Sequence, residues 1–213
     1  MKNPRIAVTC GDPAGVGPEL IAQCLQDGIG CEADLSIIGP PSWLDTLKAS
    51  DADSFETIEV GLAYSGYEPG KPNPEGSKIA LEAMEKAARG CVFGEFDAVV
   101  TGPISKARCA EAGFSHPGQT EFFASHWGGE PTMAFVGSKL NVVLATWHVP
   151  FATIRYYISV LSYLGCLWVY IYVYQYLSVP LVCCDILPPQ LLLFPYSQSS
   201  VRRYQYPVIN YRS

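Results

Sequence analysis

The sequence predicts an α/β sandwich with a largely parallel sheet over residues 1–155, and three observations predict it. Strand-sized apolar runs alternate with segments of helical period. The runs end in glycine or proline, at Gly11, Gly39-Pro40-Pro41 and Gly102-Pro103. This part is also rich in Ala, Gly and Glu, as an ordinary α/β domain is.

Each element has a local reason. Residues 5–9 form a short buried strand, being apolar and partly β-branched. Gly11 to Gly17 make a glycine-rich turn. Residues 18–26 follow as a helix, with Pro18 near the first helical position, where a missing N–H costs nothing. Residues 33–38 are a second strand. Ser42 is expected to cap a helix through Leu47, and residues 57–60 a short strand. Residues 62–73, rich in Gly, Pro and Tyr, read as an irregular loop. The clearest helix is 74–92, with Ile79, Ala83, Ala87 and Cys91 at four-residue spacing. Residues 96–101 are a buried strand, and 104–112 and 120–127 are helical. Residues 132–136 and 140–146 are strands joined by Gly137-Ser138-Lys139, a hairpin-like spacing.

Charge divides the chain. Charged residues are 16% of the 213, below the usual ~25%. Residues 1–155 hold 11 of 14 Lys+Arg and 19 of 20 Asp+Glu, for a net charge of −8; residues 156–213 carry +2. This acidity excludes a nucleic-acid binder, which needs a basic face, and the apolar content of the first part excludes disorder. Eight cysteines lack CxxC pairs or a disulfide spacing and read as small core hydrophobes in a reduced, cytoplasmic protein. No apolar stretch of signal-peptide length follows the N-terminus.

The composition breaks near Arg155. Residues 156–213 contain 11 of the 13 tyrosines, one glycine, and no Ala, Lys, Glu, Thr, Met or His. The expected division is therefore an incomplete α/β domain, 1–155, and an unrelated apolar, Tyr-rich tail, 156–213. The uncharged run 156–184 is long enough to span a bilayer. Its serines, Gln175, Pro180 and lack of basic flanks count against a span. Its Val, Ile and Tyr also suit strands. A third reading is an out-of-frame or joined sequence. The missing linker favours this third reading, ahead of the membrane span, so that membrane attachment is not expected. Such an apolar run without charges is expected to aggregate when exposed.

Four stretches carry chemistry. Thr9-Cys10-Gly11-Asp12-Pro13-Ala14-Gly15-Val16-Gly17-Pro18-Glu19 links a strand to a helix, a layout that suits an anion. Its spacing is neither GxGxxG nor a P-loop, and this favours a tight turn that simply needs glycine. Asp12 caps the helix or faces a site. Thr101-Gly102-Pro103-Ile104-Ser105-Lys106 lies at a strand's carboxyl end, where α/β sheets place ligands. There Lys106 suits a phosphate or carboxylate, or is a solvated lysine. His116-Pro117-Gly118-Gln119-Thr120-Glu121 offers Gln119 and Thr120 to a polar, phosphorylated substrate, or Thr120 as an N-cap; His116 reads as a loop histidine. Leu144-Ala145-Thr146-Trp147-His148-Val149-Pro150 ends an apolar strand in an imidazole suited to metal or acid–base work. One histidine is not a metal site, and only His116, His126 and His148 occur in the chain.

In order and spacing these four stretches resemble the 4-hydroxythreonine-4-phosphate dehydrogenase family over residues 5–154. The resemblance implies a fold like that of isocitrate and isopropylmalate dehydrogenases, N-terminal part only. It implies NAD(P)-dependent oxidation of 4-phosphooxy-L-threonine. Decarboxylation would then give 3-amino-2-oxopropyl phosphate, a step towards pyridoxal 5′-phosphate. It further implies a cytoplasmic homodimer with a divalent metal (Zn, Mg or Co) in a site shared between subunits. By the same resemblance His148 matches the first of three histidine metal ligands and Thr120 a substrate-binding threonine. Gln119 stands where many members carry a substrate-binding histidine; it hydrogen-bonds but does not titrate. The other ligands belong to the family's C-terminal half and have no counterpart here, so the chain is expected to be truncated and impaired. The alternative is a membrane-attached or non-catalytic phosphate-binding protein built on half of the enzyme fold.

Overall fold

The computed structural model describes residues 3–28, 32–50, 55–61, 67–129, 131, 133–136, 141–144 and 192–193. Along them run β1 (Arg5–Thr9), α1 (Gly17–Gln26), β2 (Asp34–Gly39), α2 (Pro41–Ser50), β3 (Glu56–Glu59) and α3 (Pro74–Val92). Then follow β4 (Ala98–Thr101), α4 (Lys106–Glu111), α5 (Gln119–Trp127), β5 (Ala134–Val136), β6 (Asn141–Val143) and β7 (Leu192–Leu193). The chain divides into two compact units, Met1–Glu130 with Ile186–Tyr206, and Pro131–Asp185 with Pro207–Ser213.

In the first unit the sheet order is β3-β2-β1-β4-β7. The first four strands are parallel, and β7 adds antiparallel at the edge through Val99↔Leu193 and Val100↔Leu192. Parallel neighbours need crossovers, and α1, α2 and α3 lie in those connections. In the second unit β5 and β6 pair antiparallel, Ala134↔Val143, as the hairpin-like spacing predicts.

The core sits between the sheet and α3. Both four-residue stripes of this helix, Ile79-Ala83-Ala87-Cys91 and Ala80-Met84-Ala88, are buried. Small residues let the helix axis approach the strands, and α3 packs on β1, β2 and β4. Its start is set by Asn73, whose Oδ1 accepts from Gly76 N at 2.8 Å, followed by Pro74 in the first turn. At the amino ends of β1 and β4, Arg5 donates to the Asp97 carboxylate from Nη2 at 2.9 Å and from Nε at 3.2 Å. That hydrogen-bonded carboxylate raises the Arg5 pKa above its ordinary value.

Several boundaries differ from the sequence reading, and three of them have a local reason. The strand expected from residue 96 begins at Ala98, because Phe96 turns onto Gly90 and Asp97 N bonds Arg5 O at 2.8 Å. Ser42 is not a cap. The Pro40 carbonyl accepts from Trp43 N and Leu44 N, so α2 already starts at Pro41. The helix expected over 104–112 is shorter, because Ser105 is extended. Cys10, Cys24, Cys91 and Cys109 are buried, as core hydrophobes should be. No helix among the described residues is long and apolar enough to cross a membrane, and the run 156–184 lies outside them.

Met84 is fully buried at the middle of α3. Met84→Ala is expected to lower unfolding free energy by about 2–5 kcal/mol, and Asn73→Ala by about 1 kcal/mol. Urea denaturation midpoints at constant m-value measure both.

Candidate functional site

β1 and β4 are in parallel register through Thr9↔Thr101, so the glycine-rich stretches after them leave the sheet at the same end. They touch backbone to backbone. Gly102 N donates to Thr9 O at 2.9 Å and Thr9 Oγ1 at 3.2 Å, and Asp12 N donates to Pro103 O at 3.1 Å. Gly11 is left-handed at φ +69°, and a Cβ there would lie 2.4 Å from Pro103 O. A Cβ on Gly102 would lie 2.5 Å from Gly11 N, and one on Gly17 2.2 Å from Cys10 O. The glycines are thus required by close packing of one loop on the other, in agreement with the tight-turn reading.

Asp12 closes this turn. It is buried, its Oδ1 accepts from Ala14 N at 3.0 Å, and its carbonyl accepts from Gly15 N at 2.9 Å. It does not cap α1, whose N-cap is Val16 without a side-chain bond. The first turn of α3 stands beside it, since a Cβ on Gly76 would lie 3.0 Å from Asp12 Oδ1. Cys10 sits beneath the loop, fully buried, and burial pushes its thiol up to about 12. Burial does the same to Cys91, also to about 12.

The structure brings Gln119 to these loops. Its Nε2 donates to Gly102 O at 3.3 Å, and its buried Oε1 has no hydrogen-bond partner among the described residues. Thr120 is 6% exposed and lies inside α5; the N-cap is Gly118, in extended backbone, so the capping role considered for Thr120 does not hold. Lys106 is exposed at the start of α4, and a Cβ on Gly118 would lie 3.4 Å from its Nζ. Gly102, Gln119 and Lys106 therefore gather polar groups at one end of the sheet, beside the start of α5. His116 packs instead on Phe114 and Phe122. His148 lies outside the described residues. Among the described residues no three His, Cys, Asp or Glu side chains come together as metal ligands. Sequence reasoning missed the hydrogen bond between His126 Nε2 and Glu85 Oε2 at 2.8 Å. The partners are 41 residues apart on different helices, with no local signal.

Two outcomes follow from this geometry. Gly102→Ala is expected to cost about 1–3 kcal/mol or more, because backbone, not a movable side chain, occupies the Cβ position; thermal melts measure it. The two thiols are raised in the folded state, so the unfolded chain ionises first. Stability is then fully present below the ordinary thiol value of 9.0 and is lost as pH rises towards about 12. Urea midpoints taken on both sides of that value should fall with pH, and more gently in Cys91→Ala.

A family model described as pyridoxal phosphate biosynthetic protein PdxA matches residues 17–167, so the match runs beyond residue 154. A 4-hydroxythreonine-4-phosphate dehydrogenase of Synechocystis is 36% identical over 170 residues, covering 70% of this chain and 49% of that protein. One from Methylococcus capsulatus is 32% identical over 184 residues, covering 78% and 55%. A solved 4-hydroxythreonine-4-phosphate dehydrogenase from Burkholderia phymatum superposes with a TM-score of 0.69 at 22% identity, covering 84% of this chain and 60% of that one. At that identity the likeness speaks for the fold, which is the α/β dehydrogenase fold expected. The chain spans about half the length of the curated relatives it matches. The match covers well over half of the sequence: the chain belongs to the PdxA family of pyridoxal phosphate biosynthetic proteins, a family of dehydrogenases.

Proposed function

We propose that the chain is built for the NAD(P)-dependent oxidation of 4-phosphooxy-L-threonine, and that its own share of the work is holding the substrate. When bound, NAD(P)+ would supply the oxidising power for the 3-hydroxyl. The resulting 2-amino-3-oxo acid loses CO2, leaving 3-amino-2-oxopropyl phosphate. The observation that carries this reading is Gln119. A buried amide oxygen without a partner among the described residues sits at a strand end of a dehydrogenase-family sheet. An orphaned buried acceptor costs about 1–3 kcal/mol, which a substrate hydroxyl or ammonium would relieve. Gln119 accepts that donor while its Nε2 stays on Gly102 O; Thr120 adds a hydroxyl, and Lys106 attracts the phosphate or carboxylate. None of these takes the reaction's proton, since an amide does not titrate and Lys106 serves as a fixed cation.

The described residues do not fit a metal, for want of three ligands together. Nor do they form a dinucleotide cradle, because Gly11, Gly17 and Gly102 are filled by neighbouring backbone. His148 as a ligand to Zn, Mg or Co, NAD or NADP as oxidant and a cytoplasmic homodimer belong to the same proposal by resemblance.

Calorimetry of the full chain with 4-phosphooxy-L-threonine tests the reading. Gln119→Ala and Thr120→Ala are each expected to weaken binding about tenfold, the loss of one hydrogen bond that leaves a polar partner unpaired. With NAD+ and divalent metal added, binding without NADH formation is expected. Unchanged affinity in both variants sinks the substrate assignment. Metal-dependent NADH formation, abolished in His148→Ala, would show that this chain completes the reaction by itself.

A further inference from the structure

β4 is the last of the four parallel strands, and beyond it among the described residues lies β7, two residues from the Tyr-rich tail. The direction of the β4 backbone groups follows from its neighbours. Along β1 the even positions face β2: Cys10 N donates to Ile38 O and Asp34 N to Pro4 O, both at 2.9 Å. The odd positions of β1 therefore face β4, where Gly102 N meets Thr9 O at 2.9 Å. In a parallel ladder both backbone groups of a residue point to the same neighbour, and successive residues alternate. With Thr9 opposite Thr101, the even positions of β4 bond β1, and Val99 turns its N–H and C=O to the outer side. Asp97, which donates to Arg5 O, precedes the strand and stands outside this alternation. Opposite Val99 is Leu193, and opposite Val100 is Leu192. Val99↔Leu193 is thus the pair that exchanges N–H···O bonds, and Val100↔Leu192 the pair that does not.

β4 needs a partner on that outer side. Val99 is fully buried, and the strand, Ala-Val-Val-Thr, carries neither a charge nor a proline, two of the usual protections of an edge. Left bare, it is a template for pairing with another chain. The tail segment that meets it has the opposite make-up. Residues 190–194, Gln-Leu-Leu-Leu-Phe, are bracketed by Pro188-Pro189 and by Pro195. Proline has no N–H to give, so pairing does not run past this segment in either direction. Once β7 is in place the sheet ends in a strand of two residues, and very short edge strands template poorly.

We propose that the outer edge of β4 is a strand-docking surface, that its occupant is the chain's own segment 190–194, and that this proline-bracketed segment guards the sheet against pairing with a second copy. The contact is main chain to main chain, so it depends on the Leu193 N–H and not on which side chain residue 193 carries. It is independent of the substrate reading above.

Hydrogen–deuterium exchange of the full chain, read on the peptide that spans β4, compares Leu193→Pro, Leu193→Ala and Leu192→Pro. Leu193→Pro removes the donor to Val99 O and sets a ring in its place, so the Val99 amide should exchange at least about tenfold faster, the loss of a hydrogen bond. Leu193→Ala keeps the N–H and should keep the protection of the unaltered chain. Leu192→Pro, where the N–H faces away from β4, should keep it as well. A greater loss in Leu193→Pro than in Leu192→Pro supports docking, whether it stays in β4 or spreads to β1 and α3. Equal exchange in the two proline variants, no change in Leu193→Pro, or an equal loss in Leu193→Ala overturns it. Light scattering tests the guard: at one concentration Leu193→Pro should form larger species than Leu192→Pro. Equal sizes refute guarding, while the exchange result still decides the docking.

Discussion

Gly11 and Gly102 meet backbone to backbone beyond the ends of β1 and β4, with no room for a Cβ on either. Parallel strands that emerge side by side bring their following loops into contact, and only glycine lets two main chains close to hydrogen-bonding distance in so little space. From this contact the rest of the site follows. Thr9 is buried and pinned to Gly102, Asp12 is pinned to Pro103, and the Gly102 carbonyl is left facing α5, where Gln119 reaches it. At the opposite ends of the same two strands, Arg5 and Asp97 hold the pair together. The strands are therefore fixed at both ends, and the loops are presented from a rigid base.

α3 gives that base its depth. A helix rich in alanine lies closely on β1, β2 and β4, and its first turn stands beside Asp12. α5 packs on α3 rather than forming an independent layer. The site is thus supported from two directions: Gly102 comes from the sheet, and Gln119 from a helix seated on another helix.

Burial distributes chemistry unevenly. The thiols of Cys10 and Cys91 are held protonated by desolvation, so they serve as packing groups and not as nucleophiles. Gln119 is the contrary case, a buried group whose donor is used and whose acceptor has no partner among the described residues. Proteins keep few such atoms.

Much of this was legible from residues alone. The strand Arg5–Thr9 and the helix Pro74–Val92 follow from β-branched runs and from a four-residue apolar period, signals contained within each segment. The failed GxGxxG test in the first loop pointed to glycines that serve a turn, and the packing of Gly11 and Gly17 agrees. Gln119 and Thr120 stood out as polar residues at a helix start. Their local setting did not: the N-cap is Gly118, and Thr120 is buried. The start of β4 at Ala98 depends on Phe96 meeting Gly90 and on Asp97 meeting Arg5, partners distant from that segment's own pattern. The hydrogen bonds from the end of α5 to α3 go to Glu85 and Ala88, some 40 residues from His126 and Trp127. Periodicity and turn chemistry are local and can be read along the chain, but the side chain that completes a hydrogen bond across two helices exists only once both are packed.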